Sequence, residues 1–121
     1  MAENITLQIY TPEKTVLNKK VYRVVLPYGK INLTLIDDRA PTSLVLHPGL
    51  LEILAEDDRV VEAYFIDGGV VDAADNVCKI STRNIIKQSK ITLEQALELK
   101  KQKPHDAIFY QMIADYLQNF S

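Results

Sequence analysis

The chain has 121 residues, of which 47% are hydrophobic, with 14 basic and 16 acidic side chains and a net charge of −2. That length gives one domain, or one domain with a small appendage, and the apolar share suffices for a packed core, which excludes disorder as the main state. The weakly acidic balance excludes a duplex nucleic-acid binder, which needs clustered cations to neutralise phosphates.

The first three-quarters of the chain reads as short strands. Ile5, Leu7 and Ile9 alternate with Thr6, Gln8 and Tyr10, and Tyr22, Val24 and Leu26 share a face. Ile31, Leu33 and Leu35 alternate with Asn32 and Thr34; Val61, Ala63 and Phe65 with Glu62 and Tyr64; Val77 and Lys79 with Cys78 and Ile80. Alternation places one set inside and the other outside a sheet. Turn chemistry separates the runs at Thr11–Lys14, Pro27-Tyr28-Gly29, His47-Pro48-Gly49, Glu56-Asp57-Asp58, Asp67-Gly68-Gly69 and Asp75-Asn76. The spacing predicts about nine or ten short strands over residues 1–87, in a sandwich or barrel rather than a parallel sheet.

The pattern changes after residue 87. Thr92-Leu93-Glu94-Gln95 has the form of a capping box, in which Thr92 caps the Gln95 amide and Gln95 reaches back. Helix formers follow through Lys103, and Pro104 breaks the run. Beyond it Phe109, Met112, Ile113, Tyr116, Leu117 and Phe120 recur at helical spacing. Residues 88–121 are therefore predicted to form a two-helix hairpin, packed through Leu93, Ala96 and Leu97 on the first helix and the apolar stripe on the second. The fold class is mainly β plus α.

Chemistry-bearing residues are sparse. His47 and His105 lie in separate turns, and with one cysteine they give no metal-ligand spacing, so no metal is expected. Cys78, inside an alternating strand, reads as a small buried hydrophobe, and a single cysteine points to a reducing compartment. A hydrolase built from Cys78, Ser43 or His47 lacks a supported triad. Gly68-Gly69 lacks the lysine and hydroxyl of a phosphate loop and reads as a turn or bulge. Asp37-Asp38 reads as a solvated pair beside Arg39. No apolar run approaches the roughly 20 residues of a membrane helix. Met1–Asn4 carries no secretory signature, so the N-x-S/T triplets at Asn4, Asn32 and Asn119 are read as chance.

Several stretches in order resemble the epsilon subunit of F-type ATP synthase, called delta in mitochondria. They are Thr11-Pro12-Glu13-Lys14-Thr15-Val16-Leu17, Val24-Val25-Leu26-Pro27, Ala40-Pro41 with His47-Pro48-Gly49-Leu50-Leu51-Glu52-Ile53, and Phe65-Ile66-Asp67-Gly68-Gly69-Val70-Val71. The resemblance spans nearly the whole chain. It implies a β-sandwich followed by two helices, and a non-catalytic subunit of the rotor's central stalk. The implied partners are the gamma subunit, the c-ring and the catalytic alpha/beta hexamer, on the cytoplasmic face of a membrane or its matrix or stromal equivalent. In many bacterial relatives the helices also extend and block hydrolysis. An alternative is a free-standing sandwich adaptor that binds a different helical partner.

The chain departs from the family pattern in two places. The segment matching the part that faces the c-ring, with Asn32, Asp37, Asp38, Arg39, Ala40 and Pro41, has Ile31 and Thr34 for glycines and Asp38-Arg39 for Gly-His. ATP-binding relatives carry [I/L]-D-x-x-R-A where this chain reads Ile91-Thr92-Leu93-Glu94-Gln95-Ala96. Thr92 and Gln95 replace the motif's Asp and Arg, so no regulatory ATP and no other cofactor is expected. The similar string Ile36–Ala40 lies outside the helix context and is read as coincidence. Relatives' inhibitory arms are often basic, whereas here Lys100, Lys101 and Lys103 sit on the first helix and the second has no Lys or Arg. Docking of that helix on the sandwich is the expectation.

Overall fold

A computed structural model describes residues 5–28, 31–35 and 41–120. It contains eight strands and two α-helices: β1 Ile5–Tyr10, β2 Thr15–Val21, β3 Arg23–Tyr28, β4 Ile31–Leu35, β5 Thr42–Leu54, β6 Val60–Ala74, β7 Val77–Ser81, β8 Ile85–Lys87, α1 Leu93–Gln102 and α2 Ala107–Phe120. The strands run in the order β2-β1-β7-β6-β5-β3-β4, with β8 on β6. All pairs are antiparallel except β1 with β7, which is parallel.

The two longest strands make the sheet a sandwich. The first part of β5, Thr42–Leu46, pairs with Gly69–Ala73 of β6, and the second part, Pro48–Leu54, pairs with Val60–Asp67. Between these halves both strands bend. Gly68 has φ +71° and Gly69 φ +132°, and a Cβ on Gly69 would overlap the Ser81 carbonyl oxygen. Only glycine adopts this conformation with that approach. The expected turns at His47-Pro48-Gly49 and Asp67-Gly68-Gly69 are therefore bends inside continuous strands. This corrects the count from nine or ten short strands to eight among the described residues. The residues at the bends have turn chemistry, but here the chain crosses between layers without leaving the ladder.

True turns lie elsewhere. Asp75 and Asn76 both have positive φ, 52° and 61°, and join β6 to β7 as the right-handed twist of a tight hairpin requires. Glu56-Asp57-Asp58 forms the β5–β6 turn, closed by the Asp58 amide donating to the Ala55 carbonyl at 2.9 Å. Thr11 and Lys14 close the β1–β2 turn at 2.9 Å.

Ile5, Leu7, Ile9, Val24, Leu26, Leu51, Ile53, Tyr64, Ile66, Val71, Cys78 and Ile80 fill the space between the layers. A second apolar cluster lies outside it, where Phe65 meets Ile91, Ala96, Phe109, Tyr110, Ile113 and Ala114. The middle of β6 is thus buried on both faces: Tyr64 and Ile66 point into the sandwich, and Phe65 points to the helices. The alternation read from the sequence put Phe65 inward and Tyr64 outward. The structure reverses this, and Val61 is 51% exposed. A strand covered on both sides carries no polar face to set its phase.

Candidate functional site

The hairpin begins at the predicted cap. The Gln95 amide donates to Thr92 Oγ1 at 3.2 Å and the Thr92 amide donates to Gln95 Oε1 at 2.9 Å, so both side chains serve the helix start. Pro104 opens a 3₁₀ turn, Pro104–Asp106, where its missing amide costs nothing, and α2 follows. α2 packs along α1 and lies on β5 and β6. The Phe65 and Tyr116 rings meet edge to face at 5.4 Å between centroids, a favoured aromatic geometry. The hairpin is folded onto the sandwich, as the uncharged apolar stripe of α2 favours.

Of the predicted packing residues, Ala96, Phe109 and Ile113 are buried, and Leu93, Met112, Tyr116 and Leu117 pack partly buried against the same cluster. Leu97 does not join it and is 42% exposed. α1 turns Leu93, Ala96 and Leu99 toward α2, and Leu97 lies a third of a turn away. The Phe120 side chain lies outside the described residues. Sequence reading missed Tyr110 and Ala114 on α2, and Leu50, Phe65 and Ile86 on the sandwich. Tyr110 sits one residue past Phe109 and Ala114 one past Ile113, which marks an apolar face wider than a single stripe.

A polar cluster joins the same two parts. Arg83 Nη2 donates to Asp67 Oδ2 at 3.0 Å and lies 2.8 Å from Asp106 Oδ1. Asn84 Nδ2 donates to both carboxylates at 3.1 Å. Burial, together with the nearby Asp106 and Asp67 carboxylates, pushes the Tyr110 hydroxyl pKa up.

On β2, an edge strand, Lys19 reaches Glu62 of β6 at 2.8 Å, and the Tyr64 hydroxyl donates to Glu62 at 2.9 Å. A lysine directed inward at a sheet edge discourages pairing with another strand. The Lys19 hydrogen bond holds the Glu62 carboxyl below its ordinary range. Burial, reinforced by Glu62, pushes Tyr64 up to about 12.

The segment expected from the resemblance to face a c-ring falls largely outside the described residues: this holds for Asp37, Asp38, Arg39 and Ala40 entirely and for the Asn32 side chain. The Asn32 backbone lies in β4 opposite Pro27. Pro41 is exposed and lines a groove of about 400 Å³ with Ser43, Asp72, Val77 and Lys79. Beside the groove, Val45 and Val70 sit directly opposite each other, 68% and 42% exposed. The pair places two exposed apolar side chains on one face of the sheet. His47 and His105 are exposed in different elements. Cys78 is buried and its thiol is pushed up to about 12 by desolvation, the opposite of an activated nucleophile.

No helix among the described residues is long and apolar enough to cross a membrane. The chain aligns at 24% identity, over 92% of its own length and 84% of the relative's, with the ATP synthase epsilon chain of Rhizobium etli. It aligns at 28%, over 76% of its length and 64% of the relative's, with the epsilon chain of Gluconacetobacter diazotrophicus. Its fold matches a chain of the Euglena gracilis mitochondrial ATP synthase OSCP/F1/c-ring structure, with a TM-score of 0.70 at 20% identity over 96% of this chain and 77% of that one. It also matches a chain of the Tetrahymena thermophila mitochondrial ATP synthase central stalk and c-ring, with a TM-score of 0.61 at 22% identity over 91% of this chain and 96% of that one. The family model described as the ATP synthase Delta/Epsilon chain, beta-sandwich domain, matches residues 4–88. The chain belongs to the ATP synthase delta/epsilon family.

Proposed function

We propose that the chain is a non-catalytic subunit of the central stalk of an F-type ATP synthase. It turns with the gamma subunit and the c-ring and carries their torque toward the catalytic alpha/beta hexamer. The observation that carries this reading is the family match across the whole sandwich, residues 4–88. The build of the body supports it. A torque element must be stiff, and the strands that cross between layers bind the two halves of the sandwich into one close-packed unit. The Val45 and Val70 face gives a rotor partner an apolar seat. The subunit works at the cytoplasmic face of the membrane, or its matrix or stromal equivalent, held there through the complex.

The head of α1 takes no regulatory ATP in this reading. Thr92 and Gln95 replace the acid and the cation of the relatives' motif, and their side chains are engaged with each other's backbone. A ligand that binds the folded state raises the melting temperature, so millimolar Mg-ATP is expected to leave it unchanged. The test of the main reading is purification of the tagged chain from its native host. Gamma, c and the alpha/beta subunits are expected with it; a chain that emerges with no ATPase subunit overturns the reading.

A further inference from the structure

The hairpin touches the sandwich in two chemically different ways. One is the apolar cluster around Phe65. The other is the group formed by Asp67 on β6, Arg83 and Asn84 in the β7–β8 connection, and Asp106 just ahead of α2. Asp67 Oδ2 accepts from Arg83 Nε at 3.3 Å, Arg83 Nη2 at 3.0 Å and Asn84 Nδ2 at 3.1 Å. Asp106 Oδ1 lies 2.8 Å from Arg83 Nη2 and accepts from Asn84 Nδ2 at 3.1 Å. The two carboxylates are largely withdrawn from water, with 12% and 21% of their side chains exposed, while Arg83 is 60% exposed. Asp67 belongs to the sandwich and Asp106 to the hairpin, so docking brings two anions onto one guanidinium and one amide.

We propose that these four side chains form an electrostatic clasp holding the hairpin to the sandwich, with Arg83 as its single cation. With Arg83 charged, each carboxylate has a counter-charge and donors. With that charge removed, the same geometry holds two largely buried anions against each other, a destabilising arrangement. The clasp thus changes sign on loss of one residue, which a merely space-filling contact does not. Because Arg83 is the exposed member, dissolved salt reaches it, and the hold weakens with ionic strength. The inference concerns the hairpin within this chain and stands whether or not the chain is a rotor subunit.

The test is native-state amide exchange on the full chain, comparing α2 amides with those of β1 and β7, which report the sandwich. Arg83→Gln keeps a donor and removes the charge. It is expected to speed α2 exchange about ten-fold in 50 mM salt, the scale of a charge-assisted hydrogen bond, with β1 and β7 unchanged. Adding Asp106→Asn removes one anion and is expected to restore α2 exchange to within about three-fold of the wild type, and Arg83→Lys to hold it there. Unchanged α2 exchange in Arg83→Gln, or no rescue by Asp106→Asn, overturns the clasp. If Arg83→Gln speeds β1 and β7 as much as α2, the wild-type salt series decides. Faster α2 exchange in 0.5 M salt with a steady sandwich upholds the clasp, and salt-independent α2 exchange overturns it.

Discussion

Phe65 and its neighbour Ile66 are both fully buried, at 0% exposure, yet they face different cores. Ile66 lies in the sandwich interior and Phe65 in the cluster under the hairpin. Adjacent truncations should therefore loosen different parts of the molecule. Phe65→Ala removes a ring that fills the space between β6 and α2, at a cost of about 3–5 kcal/mol for a buried Phe. Its edge-to-face contact with Tyr116 contributes about 0.5–1.5 kcal/mol of interaction beyond buried area. Ile66→Ala costs about 2–5 kcal/mol but takes it from the sandwich. Tryptic cleavage under native conditions separates the two, because Lys100 and Lys101 lie on α1 while Lys20 and Lys79 lie on sandwich strands. In the fast-reclosing regime, cleavage tracks the population of the open form. A loss of about 3 kcal/mol in hairpin docking raises cleavage at Lys100 and Lys101 by roughly a hundred-fold. In Phe65→Ala that rise is expected with Lys20 and Lys79 still protected, and in Ile66→Ala all four sites are expected to open together. Equal acceleration at sandwich and hairpin sites in Phe65→Ala would refute the division into two cores.

Three further outcomes follow from the fold. Gly69→Ala places a Cβ against the Ser81 carbonyl at a φ of +132°; a loss of at least about 2 kcal/mol is expected in urea unfolding, and a loss under 0.5 kcal/mol contradicts the bend. Tyr64 and Cys78 are neutral acids whose folded pKa values rise from 10.0 and 9.0 to about 12. Their stabilisation is complete below the unfolded values and is lost as pH climbs toward the folded ones, so urea midpoints should fall from pH 9 to 12. Tyr64→Phe should flatten the upper part of that fall, and an unaltered slope speaks against a buried phenol. Thr92→Ala opens the capping box and should cost about 1 kcal/mol, read as faster amide exchange in the first turn of α1; unchanged exchange there excludes the cap as a stabilising contact.

Local chemistry made much of this structure legible. The alternation of Ile5, Leu7 and Ile9, the Asp75-Asn76 turn, the Thr92–Gln95 cap and the Pro104 break depend on residues within a few positions of each other. The bends of β5 and β6 are not legible locally because glycine and proline mark turns and strand bends with the same residues; which one forms depends on the ladder across the sheet. The phase of β6 was lost at Tyr64 and Phe65 because both faces there are covered. Leu97 looked like a packing residue because apolar spacing alone does not choose between neighbouring helix faces. The parallel pairing of β1 with β7 and the meeting of Asp67, Arg83, Asn84 and Asp106 join distant stretches, and no local pattern announces them. The family resemblance was legible because several short motifs occur together in order, although each alone is weak.

The central claim is that the chain transmits torque and does no bond chemistry. Its most direct measurement is coupling in the native ATP synthase, reconstituted into vesicles with and without this chain. ATP hydrolysis is expected to persist without the chain while ATP-driven ion uptake into the vesicles is lost, and adding the purified chain should restore uptake. Full ion uptake in complexes that lack the chain, or hydrolysis abolished by its removal, contradicts the claim.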